Sequence, residues 1–362
     1  MKRVIIVGGG YAGTALARAL DAAAEVVLVE PRDRFVHNVA AIRALVTPDL
    51  LHKIVIPYDR LLNRGQVVRE RVAAIEGTSV KLTGGDSIEG DIIVVATGSR
   101  YARPFKPEGE SVPSFLAASR ANNRALLAAR SVAIIGAGAV GVELAGEIAA
   151  GFPAKKVILI SGTPTLLPTY QRALGRKLEA QLRAMRVTLR LGAPASPPKF
   201  NDTPFAGDVE LTAGEPVTAD LVFPVLGSKP VNDLLRTLPG VTLDSLGRAV
   251  VDPWLRPTDA HNLFALGDVA ASGDHMTIVA ITRQQPWLAK AIKALLDGQT
   301  MESVPPYVPW PSPPILVPLG PSKGASVLPF TRAGLVVGSL PTAAIKGRSL
   351  FVPRYLKEFG YA

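Results

Sequence analysis

The 362-residue chain contains no cysteine. A disulfide framework, a thiolate metal cluster, a CxxC redox pair and a cysteine nucleophile are therefore excluded, and any redox chemistry must sit on a bound cofactor. Histidine is scarce: the four, at 37, 52, 261 and 275, show neither HExxH nor another paired ligand spacing, so no metal site is expected. No run of eighteen uncharged apolar residues could cross a membrane; the nearest, 131–152, carries Glu143 and Glu147. Acidic residues are in the minority, 30 against 40 basic ones. The resulting +10 at pH 7 suits an anionic partner such as a phosphate-bearing ligand, a membrane surface or nucleic acid, but it is equally the pattern of a solvated basic surface, because no five basic residues adjoin.

What remains is a chain that should fold. Forty-eight per cent of its residues are hydrophobic and 19% charged, and its length gives two or three domains at roughly 100–200 residues each. The N-terminus imitates a secretory leader, with Lys2-Arg3 before an apolar run. However, VIIVGGGYAG at 4–13 is a β-branched strand running into closely spaced glycines, which marks a structural unit. A cytoplasmic protein, soluble or surface-associated, is expected.

That first unit is a complete βαβ pattern. Strand Val4–Val7 leads into Gly8-x-Gly10-x-x-Gly13, a helical segment follows over about 11–23, and a second strand ends at Glu30. The first glycine permits the tight turn, the second lets a pyrophosphate approach the backbone, and the third lets helix and strand pack closely. The helix N-terminus offers unpaired N–H groups to the phosphates, and Glu30 can accept from ribose hydroxyls. The pattern recurs at SVAIIGAGAVGVE, 131–143, with Gly136, Gly138 and Gly141, a helix to about Ala150 and a strand at Lys156–Ile160. Two such units imply two dinucleotides. The second has Ser161-Gly162-Thr163 where an acid would favour NADH and an Arg NADPH, so it selects neither.

Three further apolar segments, 91–99, 220–230 and 262–268, read as buried parallel strands ending in small residues. Ligands of open α/β sheets lie beyond the carboxyl ends of strands, so Ala96-Thr97-Gly98 and Gly267-Asp268 should border a cofactor. Asp268 also fits an N-cap for the following helix. That helix falls within 280–296, with Pro286 expected to bend or restart it. Nine prolines between 305 and 329 then mark an extended connector and edge strands, followed by strand-like LVVGSL and SLFV and a basic, aromatic tail. The tail fits either an interfacial segment or packing against the last domain.

With both glycine fingerprints, the ATG strand and the GD motif in order, the whole chain resembles the two-dinucleotide-binding flavoprotein superfamily. The resemblance implies an α/β fold of two Rossmann-like, glutathione-reductase-like domains for FAD and NAD(P)H, plus a small α+β C-terminal domain. The expected division is 1–105 with 240–303 for FAD, 106–239 for NAD(P)H, and 304–362 to complete the site. Disulfide reductases and sulfide:quinone reductases need redox thiols, and the absence of cysteine excludes both. HNVAAIR at 37–43 and IKGRSLFV at 345–352 further resemble the ferroptosis-suppressor family, also called apoptosis-inducing-factor-homologous mitochondrion-associated inducers of death, which is related to type II NADH:quinone oxidoreductases.

That resemblance implies hydride transfer from NAD(P)H to FAD and two-electron reduction of a quinone at a membrane surface. It places FAD contacts on Gly8, Gly10, Tyr11, Ala12 and Gly13, on Arg43, on the Val72 backbone and on Asp268. It places Glu143, Lys346 and Phe351 near the flavin, nicotinamide and quinone. From the residues alone, Glu143 also reads as a first-turn helix acid, Lys346 as a solvated turn lysine, and His37 as either a proton donor or a packed loop residue. Animal members begin Met-Gly for N-myristoylation and this chain begins Met-Lys, so anchoring by that route is not expected. No specific nucleic-acid partner is expected. The alternatives are an apoptosis-inducing-factor-like redox sensor or basic binding protein, and ferredoxin-reductase-type electron transfer.

Overall fold

The computed structural model describes residues 1–107, 109, 111–196 and 202–361. Strand Arg3–Val7, helix Tyr11–Leu20 and strand Glu25–Val29 form the first βαβ unit. Val4 to Val7 are buried on both faces, which forces a central place in a covered parallel sheet. The order across that sheet is Leu263–Ala265, Ile92–Val95, Arg3–Val7, Glu25–Val29 and Gln66–Val68, with every neighbouring pair parallel. The strand Leu263–Ala265 therefore returns from far downstream to complete a sheet begun at the N-terminus.

A second sheet orders Thr188–Leu191, Lys156–Ser161, Ser131–Ile135, Val217–Pro224 and Phe205–Val209. The expected strand at 220–230 runs Val217–Pro224 and is parallel to Ser131–Ile135, but it pairs antiparallel with Phe205–Val209 on its other side. A two-residue antiparallel ladder, Ser99–Arg100 with Lys229–Pro230, bridges the segments that leave and re-enter the first sheet. The proline-rich stretch ends in an antiparallel sheet of Ile315–Leu319, Lys323–Leu328 and Leu335–Val337, with Pro318 on an edge strand where its missing N–H costs no ladder bond.

Helix Ala139–Gly151 lies where these parts meet, with Gly141 to Ala149 all buried. Its Gly146 lets the C-terminal sheet lie directly on it, since a β-carbon there would stand 2.6 Å from Leu319 Cα. Helix Asn38–Val46 covers another side, and Leu45, Leu144, Ile148 and Val317 share one core.

Three local expectations are corrected. Pro286 does not restart its helix, which is continuous over Ile278–Leu296. Burial of Leu288, Ala289, Ala291 and Ile292 against the first helix outweighs the roughly 3 kcal/mol cost of an interior proline. SLFV at 349–352 is not a strand, because Leu350 and Phe351 are left-handed, at φ of 51° and 62°, and Val352 opens helix Val352–Glu358. The tail aromatics turn inward: Tyr355 and Phe359 are buried on His37 and Phe35, with ring centroids 4.5 and 4.8 Å apart.

Candidate active site

The two glycine motifs adopt the same geometry. Gly8 has a φ of +109° and Gly136 of +112°, and β-carbons on them would sit 2.5 Å from the Ala96 carbonyl oxygen and 2.2 Å from that of Val225. On Gly13 and Gly141 a β-carbon would lie 1.9 Å from the carbonyl oxygen of Gly8 and Gly136 respectively. Gly10 and Gly138 differ: no atom stands within 4 Å of the β-carbon position, and each caps its helix without a side-chain hydrogen bond. Both cradles are therefore tight where backbone meets backbone and open where a pyrophosphate would approach helix N–H groups.

Beside the first cradle runs a cleft of about 1170 Å³ whose lining includes Gly8, Glu30, Arg32, Val72 and Thr97. Glu30 is 2% exposed and accepts from the Gly9 N–H at 2.7 Å and from Arg32 Nε at 2.7 Å. Burial would raise its carboxyl, but Arg32 and the backbone donors outweigh burial and hold it below the usual range, as an anion. Tyr58 donates to the Gly9 carbonyl at 2.7 Å and so fixes the turn from beneath. Glu70 also lines the cleft, and its Oε2 is a buried acceptor with no donor among the described residues, suited to an amine. Beside the second cradle, Ser161 and Gly162 line a smaller cavity of about 240 Å³. Ser161 Oγ and Thr163 Oγ1 stand 2.9 Å apart, and the described residues of the lining include neither an acid nor an arginine.

The Ala96-Thr97-Gly98 and Gly267-Asp268 motifs both reach the first cradle. The Thr97 hydroxyl donates to the Val231 carbonyl at 2.6 Å and Gly98 accepts from the Val231 N–H at 2.9 Å. A β-carbon on Gly267 would lie 3.1 Å from that of Ala12, and Gln284 holds the Gly267 N–H at 3.1 Å. Asp268 accepts from Ser99 Oγ at 2.6 Å, and the half-buried Lys106 donates to the same Oγ at 2.7 Å. Burial lowers the Lys106 ammonium from its ordinary range while Asp268 pulls it back up. Asp268 does not cap the following helix; Thr277 does, accepting from the Ala280 N–H at 3.2 Å.

The charged residues of the candidate site converge on helix Ala139–Gly151. Lys346 Nζ donates to Glu143 Oε1 at 2.7 Å and to the Leu316 carbonyl at 3.0 Å. One turn along, Glu147 accepts a bidentate pair from Arg43, at 2.9 Å from Nε and 2.7 Å from Nη2. Arg43 therefore grips the second unit's helix. Burial raises the Glu143 carboxyl above its ordinary range, with Lys346 pulling it back. Lys346 is not a solvated turn residue; its side chain is 9% exposed, in a π-helical turn over Ala343–Gly347. Phe351 is half-buried at the start of the last helix, packed against the first unit's core. Glu147 was legible as a second acid four residues after Glu143, whereas Lys106, Tyr58, Glu70 and Gln284 carry no local signal and reach the site only through the fold.

A family model for pyridine nucleotide-disulphide oxidoreductases matches residues 2–296. The chain belongs to this family. Over nearly its full length it is similar to apoptosis-inducing factor homolog B of Dictyostelium discoideum, 30% identical over 99% of this chain and 96% of that protein. It is also similar to ferroptosis suppressor protein 1 of Xenopus laevis, at 26% identity over the same shares of the two chains. Among solved structures, the sulfide:quinone oxidoreductase of Aquifex aeolicus superposes with a TM-score of 0.78 at 15% identity, over 99% of this chain and 91% of that one, a likeness of fold. The chain is thus an FAD-dependent NAD(P)H oxidoreductase of the apoptosis-inducing-factor-homologue and ferroptosis-suppressor group, built on two Rossmann-like units. The residues fit both cofactors: two cradles open only at Gly10 and Gly138, and one ionised ribose-side acid. Disulfide chemistry on the chain itself is ruled out by its lack of cysteine.

Proposed function

We propose that this oxidoreductase reduces quinones, with the acceptor side built around Lys346. The observation that carries the reading is a buried lysine in a chain without thiols, fixed by an acid from the nicotinamide unit and a carbonyl of the C-terminal sheet. When bound, FAD supplies the relay from nicotinamide to acceptor. The chain's own residues do the rest. Gly8, Gly10, Tyr11, Ala12 and Gly13 hold the FAD phosphates, Glu30 its ribose, and Val72, Ala96, Thr97, Gly98, Gly267 and Asp268 its remaining edges; Gly136, Gly138 and Gly141 hold NAD(P)H. Arg43 acts by tying helix Asn38–Val46 to the nicotinamide unit through Glu147. The domain division is 1–105 with 240–303, 106–239, and 304–362.

A lysine ammonium has three N–H donors, and two of those on Lys346 are taken by Glu143 and Leu316. The third is available to steady negative charge on an acceptor oxygen. Two-electron reduction of a quinone also consumes two protons, and Glu143, with its carboxyl raised, can supply one from Oε2. Phe351 flanks the acceptor as an apolar wall.

A membrane surface completes this reading. Leu340 and Ile345 are 79% and 41% exposed, while Thr342, Ala343 and Lys346 on the same helical segment are buried. Between 304 and 357 the chain carries Lys323, Arg332, Lys346, Arg348, Arg354 and Lys357 and no acid. An apolar and basic face beside the acceptor residues suits an anionic lipid surface in which quinones dissolve.

Steady-state NADH and NADPH oxidation with short-chain quinones tests the function. Lys346→Ala is expected to keep its FAD, read by flavin absorbance, and to lose about a hundredfold in quinone turnover. Unchanged turnover with bound FAD would overturn the assignment.

A further inference from the structure

His37 is fully buried and both ring nitrogens are engaged. Nε2 lies 2.6 Å from the Leu350 carbonyl oxygen, which can only accept, so Nε2 carries the hydrogen. Nδ1 is then an acceptor, and the Tyr11 hydroxyl at 2.9 Å must be its donor. That hydroxyl accepts in turn from the Val39 N–H at 3.1 Å, which leaves its own hydrogen free for His37. The tautomer is thus dictated by the partners on either side. Burial keeps the ring neutral against the opposing pull of the Leu350 hydrogen bond, and the nearby Lys346 charge adds to burial.

The carbonyl at the end of this chain belongs to an unusual turn. Leu350 and Phe351 are consecutive non-glycine residues in the left-handed region, a conformation that persists only where surroundings over-determine it. The Leu350 N–H donates to the Lys346 carbonyl at 2.7 Å, and its side chain is buried beside Val36, Leu51 and Ile54. The remaining backbone group of Leu350, its carbonyl, is held by His37. The imidazole also carries the ring of Tyr355 from the last helix, 4.5 Å between centroids.

We propose that His37 is a positioning residue: locked in one tautomer by Tyr11 of the first glycine loop, it clamps the Leu350 carbonyl and so fixes the left-handed turn that sets Phe351 relative to Lys346. This connects the cofactor loop to the acceptor wall by two hydrogen bonds in series. It rests on the quinone reading for what the turn is for, but not for whether the clamp exists.

Glutamine can place a donor at the Nε2 position without an acceptor for Tyr11, and asparagine an acceptor at the Nδ1 position without a donor for Leu350. Hydrogen–deuterium exchange of the FAD-loaded protein, read on 346–352, separates the two. His37→Gln is expected to exchange within about twofold of wild type, His37→Asn about tenfold faster, and Tyr11→Phe about threefold faster, with strand Ser131–Ile135 unchanged in all three. His37→Asn should also raise KM for a short-chain quinone about fivefold while NADH-driven flavin reduction stays within about twofold. Equal exchange in the Gln and Asn variants, or no change in either, overturns the clamp. If His37→Asn does not hold flavin, Tyr11→Phe decides: wild-type exchange in 346–352 would overturn the proposal. A wild type that reduces no quinone would instead overturn the acceptor reading, and the exchange pattern would still decide the clamp.

Discussion

His37 also sets a pH dependence. Burial pushes its imidazole down to about 4 from an ordinary 6.5, so between those values the unfolded chain binds a proton that the folded chain does not. Stability therefore rises with pH through that window and is lost as pH falls toward 4. The difference corresponds to a penalty on the order of 3 kcal/mol at the acid end, and His37→Gln removes it. The melting temperature of that variant should depend less on pH between 4 and 6.5 than that of wild type; parallel profiles would show that this imidazole is not what titrates. In the sequence His37 was undecidable between proton donor and packed loop residue, because its partner Leu350 is 313 positions away. Lys346 was ambiguous for the same reason, its acid coming from 203 residues upstream. Glu30 was readable, since the Gly9 and Arg32 groups that hold it lie in its own βαβ unit.

The glycine cradles were legible in full because a βαβ turn is local: strand, glycines and helix start fall within a dozen residues, and each glycine has one steric task. The two open positions make the sharpest test. Gly10→Ala and Gly138→Ala meet no atom within 4 Å and stay in an allowed conformation, so each variant should fold with a melting temperature within about 5 °C of wild type. Gly10→Ala should nevertheless lose FAD, and Gly138→Ala should keep FAD while its KM for NAD(P)H rises about tenfold, because the new methyl occupies the phosphate approach. Retained FAD in the first variant, read by absorbance, would mean the loop does not hold the flavin nucleotide. The elements that resisted sequence reading are those decided by distant packing: Pro286 inside a continuous helix, the left-handed turn at Leu350, and the inward-facing tail. Their local propensities point one way, and burial against another element decides the other.

The second parallel sheet, the C-terminal sheet and helix Asn38–Val46 meet on helix Ala139–Gly151, and the C-terminal stretch from 304 to 357 carries basic residues and no acid. If the exposed face of that stretch meets lipid, the doubly substituted Leu340→Asp, Ile345→Asp protein should co-sediment about tenfold less with anionic vesicles than wild type and keep its activity toward a water-soluble quinone. Equal partitioning would assign the face to solvent. The direction of the net charge was plain from composition, but its concentration beside Lys346 becomes meaningful only once the inner side of the segment is seen to be buried.

The crowded helix limits how the enzyme can be re-engineered. Its first turn closes the second glycine cradle, while Glu143, Glu147 and Gly146 along its length are committed to Lys346, Arg43 and Leu319. A nucleotide unit transplanted whole from another reductase would arrive without those attachments and would loosen the acceptor side along with the donor side. Changes of coenzyme preference are best confined to Ser161–Thr163, the strand end whose neighbours, Gly192 to Ala195, belong to the nucleotide unit itself.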